Sequence, residues 1–101
     1  MSARVVVKDK CLEFRCPGCG RIHDPNLVRL PKRGREIAPW SWNGSLERPT
    51  LAPAMKFTVR DKHHRVTMVC HFFLRLGRIQ FLGDSTHALA GKTVTLAEID
   101  D

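Results

Sequence analysis

Two cysteines, Cys16 and Cys19, flank a Pro-Gly pair in the stretch FRCPGCGRIHDPN, residues 14 to 26. Two thiolates at that spacing on a turn can face one Zn²⁺, with the proline and glycine setting the bend, as in zinc knuckles and ribbons. A redox CxxC needs its second cysteine to lead into a helix of a βαβ unit, and the GRIHDPN that follows here opposes a helix with Gly20 and Pro25. A structural zinc site is closed by four ligands, so two must come from elsewhere in the chain. Cys70 is the obvious third. His87, His23 and Cys11 compete for the fourth place, and His87 is favoured. An extended chain advances about 3.3 Å per residue, which carries His23 away from the knuckle unless the chain turns back, and Cys11 lies at a similar reach on the other side. His63 and His64, in the basic stretch DKHHR, read as solvated turn residues.

His71 follows Cys70 directly. Side chains alternate across a strand, so Met68, Cys70 and Phe72 project one way and Val69, His71 and Phe73 the other. One face can then hold a metal while the opposite face does chemistry. His71 can take a proton as a general base if a hydroxyl and an orienting carboxylate lie beside it. Asp84, in GDSTH, arrives just after the next strand and is the carboxylate expected. The hydroxyl is open among Thr50, Ser41, Ser45 and Ser85, none of which stands in a GxSxG elbow. The stretch WSWNGSLERPTLAP, residues 40 to 53, reads as core-covering aromatics on a strand that turns at Asn43-Gly44, or as a wall beside the active face.

The elements that must position these groups are strands. Nearly every apolar run is short, rich in Val, Phe, Leu and Thr, and bounded by Gly, Pro or Asn-Gly. Strands are expected near residues 4–8, 11–15, 20–23, 56–60, 66–75, 78–82 and 92–96. VTMVCHFFLRLGRIQFL should form a hairpin around Gly77. HALAG, residues 87 to 91, can make one helical turn closed by Gly91, and AEIDD at the end reads as a frayed acidic tail. The expected fold is mainly β, a compact antiparallel domain with a zinc knuckle and little helix, a small α+β fold being the alternative. With 101 residues the chain is expected to be one domain, 1–101. So short a chain buries only about two-thirds of its unfolded surface, and a bound metal would help staple it.

With 43% apolar and 27% charged residues the composition is that of a globular protein. No apolar run approaches the roughly 20 residues of a bilayer span, and MSARVVVKDK lacks the apolar core of a secretory signal. A cytoplasmic location follows as an expectation, one in which the four cysteines stay reduced. The net charge of +7 suits a nucleic-acid partner or an acidic protein surface. Its dense patches are only KRGR at 32–35 and RDKHHR at 60–65, and both read first as solvated loops.

Taken in order, CPGCGRIH, WSWNGSLERPTLAPA and VCHFFLRLGRIQFLGDSTHALAGKTV resemble a family of small phage and prophage proteins, some of them labelled ammonia monooxygenase. More distantly the arrangement is similar to the BubE serine peptidases of bacterial ubiquitin-like conjugation operons. The resemblance implies a serine-dependent peptidase, deubiquitinase-like in action, that trims or removes a ubiquitin-like protein or another protein tail. It matches the knuckle to Cys16 and Cys19, the Cys-His pair to Cys70 and His71, and a DxxH to Asp84 and His87. Family members commonly read PTxxPS where this chain reads PTLAPA, so the implied serine falls at Ala54. The hydroxyl is therefore missing, by nature or by replacement, and hydrolysis is expected of a parent protein that carries it. There a serine at position 54 would attack, His71 would serve as base, Asp84 would hold the imidazole, and zinc would be structural. The competing arrangement makes zinc catalytic and leaves His87 free as a base. The alternative function is a noncatalytic zinc-ribbon module that binds nucleic acid or protein.

Overall fold

The structure is a computed structural model that describes residues 2–32 and 34–99, with Lys32 described in its backbone only. Arg33 of the KRGR patch, together with Asp100 and Asp101 of the expected frayed tail, lies outside the described residues. Among the described residues every regular element is a strand, and every pairing is antiparallel. The mainly β expectation is met.

Strands β1 (Val6–Lys8), β2 (Cys11–Arg15) and β3 (Ile22–His23) form one sheet in that order. Strands β4 (Leu30–Lys32) and β5 (Arg35–Ile37) make a separate hairpin. The main sheet has the order β10-β9-β8-β7-β6, from β6 (Ser41–Trp42), β7 (Leu51–Arg60), β8 (Val66–Arg75), β9 (Arg78–Phe81) and β10 (Thr93–Thr95).

The long β7–β8 hairpin is the frame. Lys56 pairs with His71, Phe57 with Cys70 and Met55 with Phe72, while the register shifts between Leu51 and Met55. The expected hairpin at Gly77 forms, with Leu76 at φ 49° and Gly77 at φ 78° between the paired Arg75 and Arg78. Two consecutive positive φ values give the type I′ turn whose twist matches its flanking strands. A Cβ at Gly77 would come within 3.3 Å of the Glu47 carbonyl oxygen, so this turn is also a close approach.

The core gathers the inward-facing side of both sheets: Leu12 and Phe14 from β2, Phe72 and Leu74 from β8, Ile79 and Phe81 from β9, together with Val5 and Leu96. Trp40 and Trp42 pack at its margin, the covering role expected of them. Asn43 organises the loop after β6: its Oδ1 accepts from the Ser45 and Thr50 amides, both at 3.1 Å, and its Nδ2 donates to the Arg48 carbonyl at 3.0 Å.

The structure differs from the expected elements in four places. The strand expected over 20–23 is only Ile22–His23, because residues 17–20 are spent in the knuckle turn. The strand expected from residue 56 begins at Leu51, since Pro53 is accepted near an edge that needs no N–H. The hairpin β4–β5 and the strand β6 were not expected, being too short to show periodicity. HALAG is a run of turns, with Ala90 N–H donating to the His87 carbonyl at 3.2 Å, and it ends at Gly91 with φ 77°.

Candidate functional site

Cys16 directly follows β2, and the chain reverses at once. Cys16 N–H donates to the Arg21 carbonyl at 2.9 Å, Gly20 N–H donates to the Cys16 carbonyl at 3.0 Å, and Gly20 sits at φ 75°. The reversal pairs Phe14 with His23. Opposed residues share a face, and so do residues two apart on a strand. His23 therefore joins Phe14 and Cys16 on the buried side. Its ring lies against Phe14, Phe57 and Phe72 at centroid distances of 5.7, 5.2 and 5.1 Å.

Cys70, fully buried on β8, meets this turn from the main sheet. The ligand atoms of Cys16, Cys19, His23 and Cys70 all lie within 4.8 Å of one another. Cys16 and Cys70 place their sulfurs 3.6 Å apart, and Cys19 Sγ is 3.4 Å from His23 Nε2. The edge of a tetrahedron with Zn–S bonds of about 2.3 Å is about 3.8 Å. Three sulfurs and one imidazole nitrogen at this spacing fit a small tetrahedral cation, and a Cys₃His set suits zinc.

The electrostatics of the cluster point the same way. Cys16 is held below the ordinary thiol range by hydrogen bonds from Cys70 and His23. Cys70 is pushed up by its hydrogen bond to Cys16, by burial and by the neighbouring thiolate charge. Burial raises Cys19 as well. The first proton leaves readily because partners solvate the thiolate, and the next is retained because adjacent buried thiolates repel. A dication removes that repulsion.

His23, not the favoured His87, thus groups with the three cysteines. The objection to His23 was a chain running straight on from the knuckle, and the chain turns back. The signal in the sequence was Gly20, whose positive φ makes the reversal. His87 lies outside the group, its ring edge-to-face with Phe81 at 4.5 Å and so close to Gly18 that a Cβ there would approach its Cε1 to 2.3 Å. Its Nδ1 accepts from the Leu89 amide at 3.2 Å. Cys11 is also outside, at the start of β2 and bridged to Asn26. Burial and the nearby Asp24, Asp9 and Glu13 push its thiol up.

On the other face of β8, His71 Nδ1 lies 3.0 and 3.1 Å from the two Asp84 carboxylate oxygens. Asp84 is carried there by a loop zipped to β8. Leu82 N–H donates to the His71 carbonyl at 2.8 Å, the Ser85 hydroxyl and the His71 backbone exchange two hydrogen bonds of 3.1 Å, and Thr86 N–H donates to the Val69 carbonyl at 2.9 Å. Lys56, opposite His71 in β7, places Nζ 3.5 Å from Asp84 Oδ2. The hydrogen bond from His71, and then the Lys56 charge, hold the Asp84 carboxyl below the usual carboxylate range. Three of the hydroxyls left open by the sequence serve the backbone: Ser45 Oγ accepts from Arg48, Thr50 Oγ1 from Leu76, and Ser85 Oγ from His71. Ala54 sits half-buried in β7, two residues before Lys56.

His63 and His64 occupy the exposed turn between β7 and β8, as expected. No helix among the described residues is long and apolar enough to cross a membrane. Neither the curated proteins nor the solved structures searched contain a match to this chain. The family described as bacterial ubiquitination-like system serine protease (BubE) matches residues 1–82, a stretch that holds the whole sulfur-imidazole cluster, Ala54 and His71 and stops short of Asp84 and His87. That match spans most of the 101 residues, and the chain belongs to the BubE family.

Proposed function

We propose that the fold is that of a small serine peptidase acting on the C-terminal tail or conjugate of a ubiquitin-like protein, and that this chain lacks only the nucleophile. The observation that carries the reading is the His71–Asp84 pair on the outer face of β8, back to back with Cys70 in the buried cluster. A carboxylate on Nδ1 fixes the tautomer and leaves Nε2 free to accept a proton from a hydroxyl. Position 54 supports it further. It lies on the same strand two residues before Lys56, the residue paired with His71, beside the register shift between Leu51 and Met55. A serine there would attack the scissile carbonyl, His71 would take its proton and return it to the leaving amine, and Asp84 would stabilise the imidazolium.

The metal in this reading is zinc, held by Cys16, Cys19, His23 and Cys70. Four protein ligands close the coordination sphere, so the ion would be structural, supplying crosslinking energy between the knuckle and β8 and no open position for substrate. These residues tie Cys70, and with it the backbone of His71, to the first sheet. The setting is a cell's ubiquitin-like conjugation system, with a phage or prophage origin and a cytoplasmic location as parts of the same proposal.

The test restores the hydroxyl. The Ala54→Ser protein should react with a fluorophosphonate probe, and adding His71→Ala should abolish labelling. Labelling that survives the loss of His71 would contradict the triad.

A further inference from the structure

We propose that the outer edge of β7, from Ala54 to Arg60, receives an extended acidic peptide as an added strand, and that a substrate tail reaches position 54 in this way. The inference rests on the function proposed above and adds the surface and the chemistry of what it binds.

The edge is open by construction. β6 is two residues long and pairs only Ser41 with Ala52 and Trp42 with Leu51. β7 runs ten residues, and beyond Ala52 its partner on the other side is β8 alone. Pro53 has no N–H with which to extend the ladder toward β6. Among the described residues no backbone hydrogen bond outside the β7–β8 ladder reaches residues 54 to 60. A row of unpaired N–H and C=O groups is matched chemically by another extended backbone.

Beside this edge lies a cavity of about 350 Å³, walled by Met55 and Phe57 of β7 and by Pro25, Pro31, Ile37 and Trp40. The Trp40 Nε1 atom is buried and has no hydrogen-bond partner. A strand laid along β7 turns alternate side chains to opposite faces, one set into this cavity and the other toward Lys56. Charge selects the second set. β7 contains Lys56 and Arg60 and no acidic residue; Lys56 is engaged by Asp84 at 3.5 Å, and Asp61 is taken up by Arg65 and the turn amides, so the excess positive charge is that of Arg60 and Lys62 toward the hairpin turn. The acid on the cavity side is Asp24. Apolar side chains therefore belong in the cavity, and acidic ones on the other face meet the excess charge toward Arg60 and the hairpin turn.

This chain has no hydroxyl at position 54, so a bound peptide should be held uncut. The probe is a short synthetic peptide that alternates Val and Glu, added to the full chain and followed by amide hydrogen exchange and Trp fluorescence. Alternate amides between Met55 and Arg60 should exchange at least about tenfold more slowly when the peptide binds. Methylating every second peptide nitrogen should weaken binding in one frame only, on the order of tenfold per blocked bond. A Val-Lys peptide should bind several-fold more weakly at low salt. Unchanged exchange across β7, equal binding in both methylated frames, or a preference for the lysine peptide would each overturn the proposal, as would protection of these amides by single-stranded oligonucleotide but not by peptide. Probe labelling of the Ala54→Ser protein needs no peptide, so the edge and the triad can fail separately.

Discussion

Cys70 and His71 are neighbours in sequence and belong to different environments. Cys70 faces a largely buried cluster of sulfur and imidazole beside Phe14, Phe57 and Phe72. His71 faces solvent with a half-exposed carboxylate and a lysine beside it. The difference shows how a small β protein can anchor and act through one strand. The pleat sends successive side chains apart, so in the proposed reading a metal crosslink on one side would hold the backbone that carries the imidazole on the other. Stability and chemistry should then respond to substitution on opposite faces, and that division can be broken experimentally.

The largest effect is expected on the buried face. The proposed zinc would supply folding energy, about 10–16 kcal/mol in small zinc domains, so its removal by a chelator, or Cys70→Ala, should cost several kcal/mol. Circular dichroism should report cooperative loss of the sheet. A chelator-insensitive fold with no bound metal by elemental analysis would remove the anchor from the comparison.

Gly18→Ala should come next, at about 1–3 kcal/mol. Its Cβ would sit 2.3 Å from the His87 ring, which Phe81 backs at 4.5 Å and which has little room to retreat. Urea denaturation should show the loss, and pairing the change with His87→Ala should return part of it. Equal destabilisation with and without His87 would mean that the knuckle turn is strained for another reason.

On the exposed face, His71→Ala should cost about 1 kcal/mol or less in stability while abolishing probe labelling of the Ala54→Ser protein. A large stability loss would show that the two faces are not separable.

The smallest effect is in pH. The folded-state pKa of Asp84 is depressed, first by the His71 hydrogen bond and then by Lys56. Such a group contributes stability that is present above its unfolded value, near 3.8, and lost as pH falls through the lower folded value. Asp84→Asn should flatten the acid limb of a stability profile in that window and leave neutral pH little changed, with added salt shrinking the difference. An effect centred near neutrality would assign the titration to another group.

The alternation along VTMVCHFFLR made the opposed directions of Cys70 and His71 legible before any coordinates, and the Pro-Gly turn did the same for Cys16 and Cys19. Asp84 was legible as a neighbour of His71 because a carboxylate just after a hairpin strand can fold back along it. The fourth cluster residue was not, since straight-line reach made His23 look too distant. The strands β4, β5 and β6 were illegible because two or three residues show no period.

Residue type and spacing by themselves determined the strand-rich class, the paired knuckle sulfurs and the two-faced hairpin, since these depend on local alternation and on turns that proline and glycine impose. Tertiary structure decided which histidine meets the sulfurs, how Asp84 reaches His71, and that, among the described residues, most of β7 keeps an open edge. Those outcomes depend on chain reversals and on contacts between residues far apart in sequence, such as Cys16 and Cys70, whose meeting is set by the packing of one sheet on another.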